Sequence, residues 1–289
     1  MLPIISSSDL TWLQTIIIAI VEGLTEFLPV SSTGHMIIAQ KLLGIASTDF
    51  VKAFTIIIQF GAILSVVVLY WRRFFVLHTA EGNSYVQRLL SRFSFYTKLL
   101  VGFLPAAIIG FALDDYIDQA LERVEIVAIM LVVGGIFMLY IDRLFGNRTE
   151  GSSLTYRNAF VVGLFQCIAM IPGVSRSMAT IVGGLAQKMT RKDAAEFSFF
   201  LAVPTMAAAT GYKLLQLFMQ EGSSTLLMNN LGTLLLGCVV SFIVGLLAIK
   251  GFLDVLMRHG FAVFGWYRIV IGLLIIGLLI AGVDLHMID

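Results

Sequence analysis

Charged residues are scarce in this sequence. Only 13% of its 289 residues are Asp, Glu, Lys or Arg, whereas soluble domains contain about a quarter. The net charge of +1 gives no basic field that would favour nucleic acid. The two cysteines, Cys167 and Cys238, lie in apolar runs, where they form neither a disulfide framework nor a zinc-binding spacing. A soluble domain, a nucleic-acid-binding protein and a disulfide-rich secreted protein are therefore excluded.

Apolar residues are abundant instead. They make up 58% of the chain, and the mean hydropathy is +0.95. A chain this apolar cannot cover its surface for water, so its solvent is a lipid bilayer. Apolar runs of membrane length predict six transmembrane helices, at residues 54–71, 99–113, 126–141, 196–213, 231–249 and 267–283.

Two further apolar segments are interrupted in the middle. Residues 12–43 are broken at Leu-Pro-Val-Ser-Ser-Thr-Gly-His, and residues 156–187 at Ile-Pro-Gly-Val-Ser-Arg-Ser-Met. Broken backbone at bilayer depth is tolerated only where protein buries it or where it lines a cavity. Both segments are therefore expected to be re-entrant helix–loop–helix pairs in an all-α integral membrane protein.

The two halves of the chain resemble each other. Pro29 precedes a run of hydroxyl residues, as Pro172 does, and Phe54 and Phe197 begin later segments at the same separation. This order predicts a single membrane domain, residues 1–289, built from repeats at about 10–145 and 154–285. One re-entrant pair and three spans per repeat would give the second copy an inverted topology.

Loop charge predicts the orientation of the chain. Residues 72–98 carry a net charge of +4 and residues 250–268 a net charge of +2, whereas residues 114–125 carry −4. Positive loops stay in the cytoplasm. Both termini are then expected outside the cytoplasm, with the tips of the two re-entrant pairs meeting near the bilayer midplane.

The first candidate site residues are two carboxylates in an apolar run. Glu22 and Glu26 lie one helical turn apart on the same face. Because no cation lies nearby in the sequence, a partner from elsewhere must compensate their charge. A divalent cation, Mg²⁺ or Ca²⁺, would do so with oxygen ligands. The alternative is that the two glutamates reach the headgroup region or cap a helix.

Hydroxyl groups follow at the first break. Ser31, Ser32 and Thr33 lie where a helix restarts, and the free N–H groups of such an end bind anions. His35 comes one turn after Ser32, so the two could form a nucleophile–base pair or share a phosphate. The alternatives are plain helix capping for the serines and a histidine bonded to a backbone carbonyl.

The second break contains an arginine at bilayer depth. Arg176 lies between Ser175 and Ser177, and no Asp or Glu occurs between Glu150 and Asp193. A planar guanidinium at a restarting helix suits a phosphate or a carboxylate. The alternative is a buried ion pair with one of the glutamates of the first break. Together, the two breaks supply what phosphoryl transfer needs, which is positioning and charge neutralisation.

At this point the sequence resembles a known family. The run from Glu22 to His35, Glu-Gly-Leu-Thr-Glu-Phe-Leu-Pro-Val-Ser-Ser-Thr-Gly-His, is similar to the signature of bacterial undecaprenyl-pyrophosphate phosphatases, which are linked to bacitracin resistance. Pro-Gly-Val-Ser-Arg-Ser at 172–177 resembles their second motif. A second lipid phosphatase family has a histidine six residues after its Ser-Arg arginine, where this chain has Val182.

The resemblance implies an enzyme of the bacterial plasma membrane that releases phosphate from undecaprenyl diphosphate with a divalent cation, recycling the carrier for cell-wall synthesis. It implies roles for Glu22, Glu26, Ser32, His35 and Arg176. A transporter or flippase for lipid phosphates is the alternative, because inverted repeats with broken helices are a transporter architecture. The sequence leaves open whether Ser32 or water attacks, which metal binds, and whether the protein forms a homodimer.

Overall fold

The computed structural model describes residues 10–46, 48–75, 85–121, 123–146, 151–152, 154–219, 223–283 and 285. Within these residues the chain is helical and contains no β-strand. The helices are α1 (Trp12–Thr25), α2 (Ser32–Leu42), α3 (Asp49–Leu69), α4 (Trp71–Phe75), α5 (Tyr85–Ala112), α6 (Asp114–Leu121), α7 (Val124–Phe145), α8 (Tyr156–Ile168), α9 (Arg176–Ala186), α10 (Arg191–Phe218), α11 (Ser223–Asn229), α12 (Leu231–His259) and α13 (Ala262–Ile280).

Five stretches are long and apolar enough to cross a membrane. They are Asp49–Leu69, Phe93–Ala112, Val124–Phe145, Leu231–His259 and Ala262–Ile280. Each of them contains or largely overlaps one of the predicted spans, so a multi-pass membrane protein is confirmed. The remaining predicted span, 196–213, lies within α10, which is not among these five helices. A sixth crossing therefore stays a prediction, as do the positions of the chain termini, which lie outside the described residues.

The helix interruption expected at each motif is present. α1 ends before the first motif and α2 restarts at Ser32, while α8 and α9 flank the second motif in the same way. The residue before each restart is a serine with positive φ, 70° at Ser31 and 75° at Ser175. Lys188 is the only other non-glycine residue with positive φ in the described part of the chain. Such a conformation costs about 1–3 kcal/mol and occurs where the surrounding fold imposes it.

The caps of corresponding helices also match. Thr11 caps α1 and Thr155 caps α8, each by accepting a hydrogen bond from the third residue of its helix. Thr48 and Thr190 cap α3 and α10 in the same manner. Each cap satisfies one of the free N–H groups that every helix start leaves. The order of caps and breaks in the second half thus follows that in the first.

Helices from the two halves are interleaved. α12 packs against α1 and α3, α5 packs against α8, and α7 packs against α13. A Cβ built at Gly61 would come within 2.9 Å of the Cα of Cys238, so α3 and α12 approach at a point where a side chain does not fit. Small residues allow such contact between helices in a bilayer, where packing replaces the hydrophobic driving force.

Candidate active site

The two helix breaks meet inside the protein. Ser177 is fully buried, and its hydroxyl donates a hydrogen bond to the carbonyl of Leu28 at 2.8 Å. Beside this contact, Phe27 packs edge-on against Phe199 of α10, with ring centroids 5.7 Å apart. The polar groups of both breaks are therefore brought together. The Ser177 hydroxyl is already used in the contact that joins the two breaks. Its role in phosphate binding therefore stays a prediction.

Arg176 and Glu26 form an ion pair across the two breaks. Nη2 of Arg176 lies 2.8 Å from Oε1 of Glu26, and the two side chains are only 14% and 9% exposed. Ser32 donates to the other oxygen of the same carboxylate, Oε2, at 2.9 Å. Glu26 is thus held between an arginine from the second break and a serine from the first. This is the ion pair that the sequence analysis gave as the alternative to a phosphate contact for Arg176.

Arg176 retains unused donor capacity. Nη1 donates to the carbonyl of Ser198 at 3.2 Å, and Nη2 also approaches the sulfur of Met206 at 3.3 Å. Nε is buried and has no hydrogen-bond partner. A buried donor without a partner is costly, so a ligand that supplies an acceptor oxygen there would be favoured. The ion pair with Glu26 therefore leaves Nε of Arg176 without an acceptor.

His35 does not hydrogen bond to Ser32. Its Nδ1 lies 2.7 Å from the carbonyl oxygen of Ser31, and its Nε2 lies 2.7 Å from the hydroxyl of Tyr267 in α13. Ser32 instead uses Glu26 as its acceptor. The predicted Ser32–His35 contact is therefore absent, because the Ser32 hydroxyl donates to the Glu26 carboxylate and both imidazole nitrogens have other partners.

Glu22 supplies the second carboxylate of the site. It is 1% exposed, lies one turn before Glu26, and its Oε1 is buried without a hydrogen-bond partner. An orphaned, buried carboxylate oxygen beside a second carboxylate fits an oxygen-liganded divalent cation. The described residues contain no group of three or more His, Cys, Asp or Glu side chains arranged for a metal. A cation here would need further oxygen ligands, and Mg²⁺ commonly takes them from substrate phosphates.

The remaining predicted phosphate contacts lie around the two helix restarts. Ser31 is buried and lies at the N-cap of α2, and Thr33 is half-buried in the first turn of that helix. Ser175 lies at the N-cap of α9, where its hydroxyl accepts from the backbone N–H of Met178 at 3.4 Å. Two helix N-termini thus flank the ion pair, and their free N–H groups favour an anion.

Arg268 joins the two breaks, a role that the sequence analysis missed. It is 0% exposed, and Nη1 donates to the carbonyls of Pro29 and Val174, each at 3.1 Å. Nη2 donates to Met130 and Gly173 at 3.0 and 2.8 Å. One guanidinium therefore satisfies carbonyls that the interrupted helices leave unpaired.

Counting Arg268 as a loop charge within residues 250–268 was wrong. Helix α13 begins at Ala262, so Arg268 lies inside the helix and contributes nothing to the charge at the membrane surface. Lys250, Asp254 and Arg258 also lie in a helix, the C-terminal part of α12, but they are exposed and together carry a net charge of +1. The useful signal was an arginine within an apolar run, because such residues are costly and face the protein interior.

Taken together, the fold and the site define a multi-pass helical membrane protein with a buried polar centre at two helix breaks. The chain belongs to a family that a comparison with family models identifies as bacitracin resistance protein BacA, matched over residues 15–274. The family predicted from the two motifs is confirmed.

Three relatives illustrate this similarity, and each is named undecaprenyl-diphosphatase. The relative from Porphyromonas gingivalis is 55% identical over 280 residues, which is 96% of this chain and 99% of the relative. That from Bdellovibrio bacteriovorus is 50% identical over 283 residues, 96% of this chain and 100% of the relative. That from Enterococcus faecalis is 40% identical over 270 residues, 91% of this chain and 95% of the relative.

Proposed function

We propose that this protein hydrolyses undecaprenyl diphosphate to undecaprenyl phosphate and inorganic phosphate in the bacterial plasma membrane, which recycles the lipid carrier for cell-wall synthesis. The observation that carries the proposal is the Ser32–Glu26–Arg176 arrangement, with contacts of 2.9 and 2.8 Å. A nucleophile, a base within hydrogen-bond reach and a third group that orients the base are typical of covalent catalysis. The names of the relatives favour this activity over a transporter.

In the first step, Oγ of Ser32 attacks the terminal phosphorus and its proton passes to Oε2 of Glu26. The new bond joins Oγ to phosphorus, the bridging P–O bond breaks, and undecaprenyl phosphate leaves with that oxygen. Water then attacks the phosphoserine, inorganic phosphate is released, and Ser32 regains its proton from Glu26. His35 accepts the proton of the attacking water in this second step.

Charge neutralisation comes from both breaks. Nη2 of Arg176 contacts the carboxylate of Glu26. Nε of the same guanidinium has no partner and can donate a hydrogen bond to an oxygen of the substrate. The N-termini of α2 and α9 add backbone donors around Ser31 and Ser175. In a site where water is scarce, fixed donors stabilise the developing charge strongly. Glu22 and Glu26 would hold the divalent cation, which would supply further charge neutralisation to the diphosphate.

The test measures phosphate release from undecaprenyl diphosphate by the pure protein in detergent. Glu26→Gln should lower kcat by at least about a hundredfold, the usual loss on removing a general base. Glu125→Gln, an exposed glutamate at the start of α7, is the matched control and should retain activity. A chelator should abolish wild-type turnover, and Mg²⁺ or Ca²⁺ should restore it. Absence of phosphate release from wild-type protein with either cation would reject the hydrolase.

We further propose six crossings, two re-entrant pairs and both termini outside the cytoplasm. The five apolar helices, the matching breaks and the loop charges support this inverted-repeat topology. A cysteine introduced at Asn83 should react with an impermeant reagent only from the cytoplasmic side, and one at Gln119 only from outside. Labelling of Asn83 from outside would reject the orientation.

A further inference from the structure

Tyr267 forms a paired contact with His35, although the two residues lie far apart in the chain. The hydroxyl of Tyr267 lies 2.7 Å from Nε2 of His35. The two rings are also stacked, with centroids 5.4 Å apart and planes 5° from parallel. The phenol thus holds the imidazole by a directed hydrogen bond, with the two ring planes aligned.

The partners of His35 determine which nitrogen changes its protonation. Nδ1 lies 2.7 Å from the carbonyl oxygen of Ser31, and a carbonyl only accepts hydrogen bonds. Nδ1 must therefore carry a hydrogen, and Nε2 is the nitrogen that gains or loses a proton. A phenol can donate to a bare Nε2 and can accept from a protonated one, so Tyr267 suits both states of the imidazole.

The anchoring of α13 explains how Tyr267 keeps this position. The next residue, Arg268, is fully buried and donates to the carbonyls of Pro29 and Gly173, one from each break. The backbone of α13 is therefore fixed relative to both breaks at this point. Tyr267 itself is 44% exposed, so it lies at the rim of the site, between His35 and the surroundings.

We propose that Tyr267 is a positioning residue that orients Nε2, the proton-carrying nitrogen of His35, and occupies it between turnovers. The attacking water must take over the hydrogen bond that the phenol makes in the resting site. This inference rests on the proposed role of His35 as proton carrier. Tyr267 acts through the imidazole and makes no contact with the reacting phosphoryl group.

Tyr267→Phe tests the proposal because it removes the hydroxyl and keeps the stacked ring. We expect kcat to fall about five- to tenfold, the value of one hydrogen bond, while KM changes by less than about twofold. The limb of the pH–rate profile that belongs to His35 should move. Tyr140→Phe is the matched control, since Tyr140 is a 51% exposed tyrosine on the adjoining helix α7, and it should leave kcat and the profile unchanged.

A double-mutant cycle with His35→Gln separates this inference from the proposed function. If Tyr267 acts through His35, Tyr267→Phe should cost little in the His35→Gln background, followed with radiolabelled substrate over long incubations. An equal loss in both backgrounds, or wild-type kcat and pH profile in Tyr267→Phe, would overturn the inference alone. Near-normal turnover of His35→Gln would overturn the proton-carrier role itself. Melting temperatures in the same detergent show whether each variant is folded.

Discussion

Replacement of Arg176 by lysine separates guanidinium geometry from charge. Arg176 contacts Oε1 of Glu26 and the carbonyl of Ser198 at 2.8 and 3.2 Å and keeps Nε for a ligand. A lysine ammonium keeps the charge, but it lacks the planar guanidinium that places one donor toward Glu26, one toward Ser198 and one toward a ligand. We therefore expect Arg176→Lys to lose roughly 10²–10³-fold in kcat, the loss on removing one fixed donor to transition-state charge, or about 2.7–4 kcal/mol.

Arg176→Ala should add a folding defect to the same catalytic loss. With side chains 14% and 9% exposed, the Arg176–Glu26 pair is nearly buried, and truncation leaves a buried carboxylate without its cation. Breaking such a pair costs about 3–5 kcal/mol, whereas a surface pair contributes at most about 1 kcal/mol. The lysine variant should therefore be the more stable of the two and nearly as inactive.

The matched control is Arg191→Lys. Arg191 pairs with Asp142 at 2.6 Å with side chains 11% and 26% exposed, so the same substitution perturbs a similar pair away from the two breaks. We expect it to lower the melting temperature and to leave kcat near wild type. Phosphate release and thermal unfolding would be measured in the same detergent. Near-normal turnover of Arg176→Lys and Arg176→Ala, or an equal kcat loss in Arg191→Lys, would refute the reasoning.

Two further predictions concern the nucleophile and the packing behind the site. Ser32→Ala should abolish turnover, and it should abolish the formation of an acid-stable labelled protein from ³²P-substrate. The substitution removes no ion pair. Measurable turnover of this variant would show that water attacks directly. Gly134→Ala would collide with Nη2 of Arg268 and bring Cβ within 3.0 Å of its Cζ, so it should lower the free energy of unfolding by about 1–3 kcal/mol. Gly277→Ala is the control, because a Cβ at Gly277 meets nothing within 4 Å, and it should not lower the free energy of unfolding. Equal melting temperatures of the two variants would contradict the clash at Gly134.

The residues of the two breaks could be predicted because their signal is local. Proline, hydroxyl groups and charged side chains within an apolar run indicate broken backbone at bilayer depth, whatever the rest of the fold. Their partners could not be predicted in this way. Ser32 and His35 are one turn apart, yet Ser32 donates to Glu26, while the imidazole turns back to the carbonyl of Ser31 in its own helix. Spacing shows which side chains share a face and leaves their acceptors undetermined.

The contribution of α13 was hidden by a boundary error. The predicted span began at residue 267, but the loop charge was counted over residues 250–268, so Arg268 was included as a loop charge, whereas the helix begins at Ala262. Residues 262–266 are apolar and belong to the same helix, so the apolar run in fact begins five residues earlier than predicted. The contacts of Tyr267 and Arg268 reach α2 and both breaks across most of the chain, and a single sequence has no periodicity that encodes such distant pairs.

The position of Arg268 in the last helix also bears on the order of biosynthesis. Both breaks leave the ribosome well before this arginine, and the carbonyls of Pro29 and Gly173 meet its guanidinium only after α13 has entered the bilayer. Nascent chains that end before residue 268 would contain every predicted catalytic group, yet the donor that joins the breaks would be missing. Completion of the centre is thereby coupled to synthesis of the last helix, and a product truncated before residue 268 would lack the donor that joins the two breaks.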